Sequence, residues 1–407
     1  MQTDVLILGA GPAGAALAIQ LAKAGFAVTL ADRKDFPRHK PCGEFLSPEC
    51  RPLLRELGVD GAVLAHAPWL VRGMRLHAGA RQALGRFRRL ADHGQHGLRG
   101  LGIQREVFDA ELVAAARNAG VRWLPRTTSL GLERTADGRI RGARLQSAGE
   151  ATRTIAARFV VAADGVHSPT AKELGWQQRI GWLDRFALTT HFRGVPAEPT
   201  AEVHLFLGGY FAATTVDEQR FSVNLVLPRQ ELAVRPPGDW DGFVAERLQR
   251  TPALAARLAG AERIRPWRGI GPFAHRTTRC TGAGVALVGD ACGYIDPLTG
   301  EGIYFALAGA RALGDAVQQA LANPAREIHA LAGYTAFRRR EIAPRMTASL
   351  WLQRAIRYPR LVRGFLALAS ALPALADLVV TLTGDTIHPR DLRRPAFWRE
   401  FGSAEVA

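Results

Sequence analysis

The first thirty-two residues constrain the fold more than any other part of this chain. An apolar run at residues 5–8 is followed by an alanine-rich segment at residues 12–24 and by a second apolar run at residues 27–31. Short apolar runs with β-branched residues are typical of strands buried on both faces, and the segment between them has a helical composition. The pattern predicts a β-α-β unit and therefore an α/β fold with a parallel sheet.

The turn after the first predicted strand carries three glycines at GxGxxG spacing. They are Gly9, Gly11 and Gly14, and Asp32 follows the second strand. The first glycine permits the sharp bend, the second lets the backbone approach a pyrophosphate, and the third lets helix and strand pack closely. The acidic residue can accept hydrogen bonds from a ribose. The unit predicts a dinucleotide site, and a glycine-rich turn without a ligand is the alternative.

A second glycine-rich loop lies near residue 300, in the sequence GDACGYIDPLTGEGIYFALAGARAL. It follows an apolar run at residues 285–288 and precedes a helical segment at residues 303–313. Its glycines, Gly293, Gly300 and Gly302, let a ligand approach the backbone closely. The unpaired N–H groups at the start of the following helix favour an anionic or electron-rich ligand.

Four motifs in this order resemble a known family. They are GxGxxG, an arginine (Arg105) ahead of an amphipathic helix, Asp164-Gly165 at the end of an apolar strand, and Gly289-Asp290. Over about residues 3–315, their order and spacing resemble the flavoprotein family of aromatic hydroxylases (the para-hydroxybenzoate hydroxylase type) and geranylgeranyl reductases. The resemblance implies an oxidoreductase with non-covalent FAD. It also implies NAD(P)H as a transient reductant, because the chain shows no second nucleotide-binding motif.

The resemblance also assigns residues to the cofactor. The adenosine diphosphate part of FAD would be held by Gly9, Gly11, Ala13, Gly14, Asp32 and Arg33, with Arg105 nearby. The Gly289-Asp290 motif would bind the ribityl chain, and Pro297, Gly300 and Gly302 would lie against the flavin ring. The Asp164 segment is part of the predicted site but departs from the family, which usually has an arginine where Ala171 and then Lys172 stand.

The sequence FPRHKPCGEFLSP after Asp32 resembles a Lys-x-Cys-Gly stretch of the reductase branch. Gly43 is expected close to the flavin ring. Cys42 is expected there too and is the one candidate for a catalytic residue, as a proton donor or a substrate contact. A small buried thiol is the alternative. No metal site is predicted, because the cysteines form no CxxC pair and no zinc spacing.

The pattern changes in the middle of the chain and becomes helical at its end. Strand-like runs between residues 182 and 271 predict an antiparallel sheet. The resemblance implies that this sheet covers the flavin and receives the substrate. We therefore predict a discontinuous, Rossmann-like FAD-binding domain of the glutathione-reductase type at residues 1–75, 100–180 and 276–330. The inserted substrate-binding sheet would comprise residues 76–99 and 181–275, and a C-terminal helical region would comprise residues 331–407.

Aromatic residues in the predicted substrate sheet have two interpretations. They could line an apolar pocket or be ordinary core, and they are Phe186, His191, Phe206, Tyr210, Phe211 and Phe221. The sheet is rich in phenylalanine and leucine, and its charged residues fall mostly at turns. These features favour a lipophilic, largely uncharged substrate.

Three chemistries are compatible with these patterns. We favour a monooxygenase of secondary metabolism that hydroxylates a lipophilic aromatic or polyketide-derived compound with NAD(P)H and dioxygen. The alternative is a reductase of an alkene in a prenyl-type lipid, although the stretch after Gly209-Tyr210 lacks the Trp and Pro usual in that branch. A flavin-dependent halogenase is a lesser alternative. It would need a Trp-x-Trp-x-x-Pro segment, which is missing, and a lysine, yet none occurs between Lys40 and Lys172.

The net charge of +16 raises the question of a nucleic-acid partner. All but four of the 53 basic residues are arginines, and they are spread along the chain rather than gathered in one patch. We therefore predict no nucleic-acid partner. No signal peptide is visible, and the cysteines fit a reducing compartment, so we predict a cytoplasmic protein.

The C-terminal region leaves two alternatives open. Five arginines precede an apolar stretch at residues 364–383, and they are Arg345, Arg354, Arg357, Arg360 and Arg363. Pro373 and Asp377 interrupt the stretch, so no membrane span is predicted. The region could pack over the substrate sheet, or it could make peripheral membrane contact with its arginines facing lipid headgroups. The sequence predicts no particular oligomeric state.

Overall fold

The computed structural model describes residues 2–89, 98–233 and 238–406. Its helices, in chain order, are α1 (Pro12–Lys23), α2 (Cys50–Leu57), α3 (Asp60–Ala65), α4 (Arg105–Asn118), α5 (Pro169–Glu173), α6 (Arg229–Ala233), α7 (Trp240–Leu248), α8 (Pro252–Arg257), α9 (Gly302–Ala322), α10 (Glu327–Phe337), α11 (Ala343–Ala355), α12 (Pro359–Ala371), α13 (Pro373–Thr383) and α14 (Pro395–Ser403).

The strands form two large sheets and three small ones. In chain order they are β1 (Gln2–Leu8), β2 (Val28–Ala31), β3 (Phe45–Leu46), β4 (Trp69–Val71), β5 (Gly73–Ala78), β6 (Arg81–Arg86), β7 (Arg88–Arg89), β8 (Gly100–Gly102), β9 (Arg122–Leu124), β10 (Thr127–Arg134), β11 (Ile140–Ser147), β12 (Arg153–Ala162), β13 (Gln177–Arg179), β14 (Arg185–Arg193), β15 (Ala201–Phe206), β16 (Gly209–Asp217), β17 (Arg220–Pro228), β18 (Glu262–Arg263), β19 (Arg268–Ile270), β20 (His275–Thr277), β21 (Thr281–Gly282), β22 (Val285–Leu287) and β23 (Glu405–Val406).

The first sheet has a parallel centre and an antiparallel edge. Strands β12, β1, β2 and β9 are parallel neighbours in that order, and the second half of β12 also pairs in parallel with β22. Strands β10 and β11 add an antiparallel edge to the first half of β12. Val5 and Ile7 of β1 face one core cluster with α1, α4 and α9, while Leu6 and Leu8 face another. Burial on both faces explains why residues 5–8 of β1 are all apolar.

The second sheet runs in the order β18, β14, β17, β16, β15, β5, β6, and β19 also pairs with β14. All of its pairs are antiparallel except β15 with β5, so the sheet is mixed and the prediction of a purely antiparallel sheet is wrong at that pair. Short hairpins enforce antiparallel pairing, whereas β5 and β15 come from distant parts of the chain and can pair in either direction. Residues 90–97, part of the predicted 76–99 segment, lie outside the described residues. The division into domains stays a prediction.

The C-terminal helices cover one end of the second sheet. Buried residues of α12 and α13 pack on β5 and β6 in one cluster, which includes Val362, Leu366 and Ala376. The predicted boundary between residues 330 and 331 falls inside α10. In the part of the chain that the structure describes, no single helix could cross a membrane. The pair α12 and α13, bent by 113°, could do so by length and composition alone.

Helix α13 can lie on β6 because Gly85 has no side chain. A methyl group at Gly85 would collide with the Ala376 carbonyl and the Val380 side chain. We expect Gly85→Ala to lower the free energy of unfolding by about 2–3 kcal/mol, because overpacking forces the helix away from the sheet. Urea titration with circular dichroism measures the change.

The matched control is Gly333→Ala in α10, where an added methyl group meets no atom within 4 Å. Because alanine has a higher helix propensity than glycine at this exposed position, we expect Gly333→Ala to raise the free energy of unfolding by about 0.5–1 kcal/mol. Equal stability of the two variants would contradict the packing argument.

Candidate functional site

Three loops converge at the carboxyl ends of the parallel strands of the first sheet. The GxGxxG loop follows β1, Asp164-Gly165 follows β12, and Gly289-Asp290 follows β22. Ala162 pairs with Leu8 on one side and with Leu287 on the other, so the three strands end at nearly the same level. The carboxyl edge of an open parallel sheet is where ligands bind in such folds.

The glycine loop is packed too tightly for other residues. Gly9 has φ +104°, and a Cβ there would lie 2.9 Å from the Asp164 Cα and closer still to the Ala163 carbonyl. A Cβ on Gly14 would collide with the carbonyl of Gly9, so this glycine allows α1 to start directly against the loop. Both glycines therefore serve the close approach of backbone to backbone.

Two adjoining cavities occupy this edge. The outer cavity lies over the glycine loop and Asp32, and its volume, including the part open to solvent, is about 1510 Å³. The inner cavity lies between the loops and the second sheet, and its volume on the same basis is about 1130 Å³. Gly11, Lys40 and Gly165 are among the residues that line both cavities. An elongated ligand can therefore occupy both.

The structure brings together most of the residues predicted for the site. The outer cavity is lined by Gly9, Gly11, Asp32, Arg33 and Asp164, and the inner cavity by Gly11, Ala13, Cys42, Gly43, Arg105, Asp290, Pro297, Gly300 and Gly302. Gly14 and Gly289 line neither. Gly289 lies behind the wall, where a Cβ would be 2.8 Å from the Ala13 Cβ. The contact of each residue with a ligand stays a prediction.

Asp32 is held in place by the backbone on both sides. Its Oδ2 accepts from the Ala10 N–H at 2.9 Å, and its Oδ1 accepts from the Lys34 N–H at 2.9 Å. The Arg38 guanidinium lies 3.8 Å from the same carboxylate. Asp32 therefore couples the turn after β1 to the segment after β2, and it borders the outer cavity.

Arg105 begins α4 and is buried. Its guanidinium donates two hydrogen bonds to Asp109, at 2.8 and 2.9 Å. The charge of Asp109 raises the pKa of Arg105 despite the opposing effect of burial. Arg105 thus remains a cation beside the inner cavity.

Two cations of this site were missed by the sequence analysis as binding residues. Lys40 lines both cavities, and an Arg38 nitrogen lies 4.0 Å from the position of a Cβ on Gly11. Burial lowers the pKa of both side chains, and Arg105 lowers that of Lys40 further. The available signal was the basic run after Asp32, because the pyrophosphate expected at Gly11 needs positive charge.

The departure from the family at the Asp164 segment has a packing reason. Ala171 is fully buried in a cluster with Leu287 and Cys292, so no arginine fits there, and Lys172 is exposed. Asp164 instead accepts from the Thr170 N–H at 3.2 Å and from its hydroxyl at 2.7 Å. Burial raises the pKa of Asp164.

The loop before α9 is tied to the second sheet and to the C-terminal helices by Asp296. This buried carboxylate caps the turn Pro297–Thr299 through the Leu298 N–H. It also accepts from the Tyr210 hydroxyl of β16 and from the Gln353 amide of α11, the latter at 2.8 Å. The network holds Pro297 and Gly300 against the inner cavity.

The second sheet presents a mostly apolar surface to the inner cavity. Its polar members are Thr189 and Asn224, which are hydrogen-bonded to each other at 2.9 Å. The remaining lining residues from this side are Ala187, Ala212, Val226, Ile270 and Phe273. None of the six aromatic residues considered above lines either cavity. Tyr210, Phe211 and Phe221 are buried in hydrophobic clusters and Phe206 packs against one of them, so the core interpretation holds for these four. Phe186 is half-buried, and His191 contacts the Glu44 carboxylate.

Cys42 and Glu44 lie side by side on the wall of the inner cavity. The Cys42 sulfur accepts from the Glu44 N–H at 3.4 Å. The Glu44 carboxylate contacts His191 Nε2 at 2.5 Å and accepts from the Arg105 N–H at 3.1 Å. Glu44 has φ +55°, an unusual conformation for a residue with a side chain, and these two contacts hold it there.

One group of metal-ligating side chains lies away from these cavities. His77, Glu202 and His204 come close together among the described residues. Arg257 lies 3.0 Å from Glu202, so the carboxylate already has a cationic partner. The two imidazoles stack with their planes nearly parallel, and Glu202 also contacts His204 Nε2 at 2.8 Å. We assign no metal to this cluster.

Comparison with known families agrees with this geometry. The model of the FAD binding domain family (FAD_binding_3) matches residues 2–349. Conditioned medium factor receptor 1 of Dictyostelium discoideum is 28% identical, over 86% of this chain and 71% of the relative. Digeranylgeranylglycerophospholipid reductase 2 of Methanopyrus kandleri is 27% identical, over 79% of this chain and 78% of the relative.

Solved structures show the same fold. The flavin-dependent brominase Bmp2 superposes with a TM-score of 0.83 at 19% identity and covers 98% of both chains. The complex of Pseudomonas aeruginosa PqsL with 2-aminobenzoylacetate superposes with a TM-score of 0.72 at 22% identity, over 89% of this chain and 99% of that one. At these identities the likeness concerns the α/β fold alone.

Lys40 provides a test of the site. We expect Lys40→Ala to lower the affinity for FAD about ten- to a hundredfold, because a charge-assisted hydrogen bond to the pyrophosphate is lost. Affinity in the parent protein should also fall as the pH rises from neutral towards the ordinary pKa of a lysine, about 10.4, because burial lowers the pKa of Lys40 and its ammonium loses the proton before that point. Fluorescence titration of the stripped protein with FAD measures both effects.

Two variants serve as controls. Lys40→Arg keeps its charge throughout this range, so its FAD affinity should depend less on pH. Lys172→Ala removes an exposed lysine that lines neither cavity, and it should leave the affinity unchanged. An equal loss of FAD affinity in Lys40→Ala and Lys172→Ala would show that Lys40 does not face the pyrophosphate.

Proposed function

Because this chain belongs to the FAD binding domain family and is an FAD-dependent oxidoreductase, we propose that it is a monooxygenase that hydroxylates a lipophilic aromatic or polyketide-derived substrate. The overall reaction consumes one dioxygen, one NAD(P)H and one proton, and it releases the hydroxylated product, NAD(P)⁺ and water. NAD(P)H would visit the site transiently.

The two cavities suit the two ends of FAD. The outer cavity offers Asp32 to a ribose, and Arg38 and Lys40 near Gly11 offer positive charge to the pyrophosphate. The inner cavity is walled by the backbone of residues 297–302, where a flat ring can lie close to the chain. When bound, FAD supplies the redox chemistry, passing electrons from NAD(P)H to dioxygen.

The chain's own contribution at the ring is a positive environment. Gly302 begins α9, whose free N–H groups carry the positive end of the helix dipole, and Arg105 adds a permanent cation. Both favour negative charge on a ligand beside them. This electrostatic support applies to any redox step that leaves the ring more negative.

The observation that carries the proposal is the surface that the second sheet turns towards the inner cavity. Within the described residues it offers no charged side chain, because Arg185 of this sheet lies 4.0 Å from the buried Asp296 instead of in the cavity. A small anionic acid would need a cation there. An apolar surface binds a lipophilic substrate through burial, at roughly 25 cal/mol per Å².

The same surface explains the preference for an aromatic compound with a neutral polar group. The hydroxyl of Thr189 already donates to Asn224, so its oxygen remains able to accept a hydrogen bond from a phenol. Phe273 and Val226 line the same cavity and add apolar surface to it. The Thr189–Asn224 pair could orient a phenol by a hydrogen bond, while the apolar cavity buries the rest of the ring. Both features suit hydroxylation of an aromatic substrate.

A reductase of a lipophilic alkene is the second candidate, and Cys42 is the observation that favours it. The thiol lines the inner cavity beside the Arg105 cation, where it could donate a proton to a substrate carbon after hydride transfer. The related Methanopyrus kandleri enzyme is named for reducing a prenyl lipid. Its substrate is also lipophilic, which agrees with the apolar cavity.

A halogenase is less favoured in spite of the likeness to the brominase fold. Of the lysines in the chain, Lys40 alone lines the inner cavity, and it lies beside Gly11 and Gly165 rather than on the second sheet. A lysine facing the substrate is therefore missing from the described residues of that sheet.

A substrate panel tests the proposal. It pairs alkyl-bearing phenols with small benzoates and prenyl lipids, and it records NAD(P)H oxidation, oxygen uptake and product mass. We expect alkyl phenols to stimulate NAD(P)H oxidation with matching oxygen uptake and with a product that gains one oxygen atom from isotope-labelled dioxygen. Reduction of prenyl lipids without oxygen uptake would establish the second candidate instead, and turnover of benzoates alone would contradict the lipophilic assignment.

Thr189→Val tests the polar pair. We expect a three- to tenfold loss of kcat/KM for the phenol, roughly the worth of one hydrogen bond. Thr190→Val is the matched control, because this neighbouring side chain bonds the Arg265 carbonyl and lines neither cavity. It should cost some stability and leave kcat/KM unchanged, and an equal loss in both variants would contradict the role of Thr189.

A further inference from the structure

The segment from residue 343 to residue 376 has an unusual charge pattern. It contains five arginines and no acidic residue. Arg345 is buried against Asp385, with their side chains 3.4 Å apart. The other four arginines are exposed, and in the described ranges none has a carboxylate within ion-pair distance. Their charge is therefore available to a partner.

Helix α12, within this segment, has an apolar face towards solvent. Its Val362, Leu366 and Ala369 face the sheet and are buried. On the opposite side, where a surface helix usually carries polar residues, Leu361 and Leu368 are 58% and 51% exposed. Arg360 and Arg363 are exposed on the same helix. The helix thus presents leucines between arginines.

Aromatic side chains extend this surface along the chain. Trp351 and Tyr358 are 64% and 65% exposed, and Leu372 is 54% exposed at the end of α12. The Arg354 guanidinium lies over the Trp351 ring, 5.2 Å from its centroid. Tryptophan and tyrosine with basic residues are typical of surfaces at the boundary between water and lipid. We name the exposed side chains of residues 351–372 the tail patch.

We propose that the tail patch docks this protein onto an anionic lipid bilayer, with the leucines in the acyl region and the arginines on headgroup phosphates. The unpaired positive charge requires a negative partner, and the exposed leucines require an apolar one. An anionic bilayer offers both in one plane. A second copy of this chain would bring the same arginines together, so charge repulsion opposes that occupant.

Docking would bring the bilayer close to the inner cavity. Leu352 and Ile356, on the inner side of the same segment, pack in one cluster with Ala187, Val226 and Phe273, which line that cavity. The docking itself does not depend on the chemistry proposed above. Vesicle binding can therefore be tested without turnover, and its failure would leave the monooxygenase proposal intact.

The experiment is co-sedimentation of the FAD-loaded protein with large vesicles. One set contains phosphatidylcholine alone, and the other contains phosphatidylglycerol as well. We expect binding to the anionic vesicles, weak binding to the neutral ones, and loss of the difference at an ionic strength of about 1 M. Because two arginines near a membrane surface are worth roughly a thirtyfold change in affinity, R360Q/R363Q should weaken binding by about that factor.

A second pair of variants separates apolar insertion from charge. L361Q/L368Q keeps the charge of the tail patch and should weaken binding roughly tenfold. The matched control, R134Q/R141Q, removes two exposed arginines from the first sheet and should change binding less than about twofold. FAD content and circular dichroism confirm that each variant is folded.

Two results would overturn the proposal. Failure of the parent protein to sediment with anionic vesicles, or sedimentation that is equal in all variants, would show that the tail patch does not bind lipid. Concentration-dependent dimerisation by light scattering that L361Q/L368Q abolishes, without vesicle binding, would identify a second copy as the occupant.

Discussion

Parallel pairing of β12 with β1 and with β22 is the constraint on which the rest of the structure depends. Because the three strands end at nearly the same level, three loops from distant parts of the sequence meet at one edge. The approach is so close that Gly9 lies directly against Ala163 and Asp164. Both cavities, and thus the proposed cofactor site, exist because this edge is left open between the loops and the second sheet.

Acidic and basic side chains alternate along the part of this edge that borders the cavities. Asp32 faces Arg38, which also lies 3.5 Å from Asp109, and Asp109 in turn binds Arg105 through two hydrogen bonds. Arg38 and Arg105 therefore each have an acidic partner, which offsets the cost of removing their charges from water. Lys40 lines both cavities at their junction. At this junction the Lys40 side chain would stabilise the anionic part of an elongated cofactor most strongly.

The second sheet forms the other wall of the inner cavity, and the C-terminal helices pack against this sheet. Asp296 joins them to the loop before α9 by bonding Tyr210 of the sheet and Gln353 of α11. The tail therefore supports the cavity wall on its inner side, while its outer side carries unpaired arginines and exposed leucines. The packing alternative raised by the sequence describes the inner side of these helices, and the membrane contact proposed above concerns their outer side.

The sequence alone determined the β-α-β unit, the glycine loop with Asp32, and the order of the other motifs, because these depend on local periodicity and on backbone conformations that glycine permits. It did not determine that Lys40 and Arg38 face the cavities, that Gly289 lies behind the wall, or that β5 pairs in parallel with β15. Nor did it distinguish pocket from core for Phe211 and Phe221, since both roles require the same apolar side chains. Only the tertiary structure decided these points, because a side chain's neighbours depend on pairings between strands that are distant in the chain.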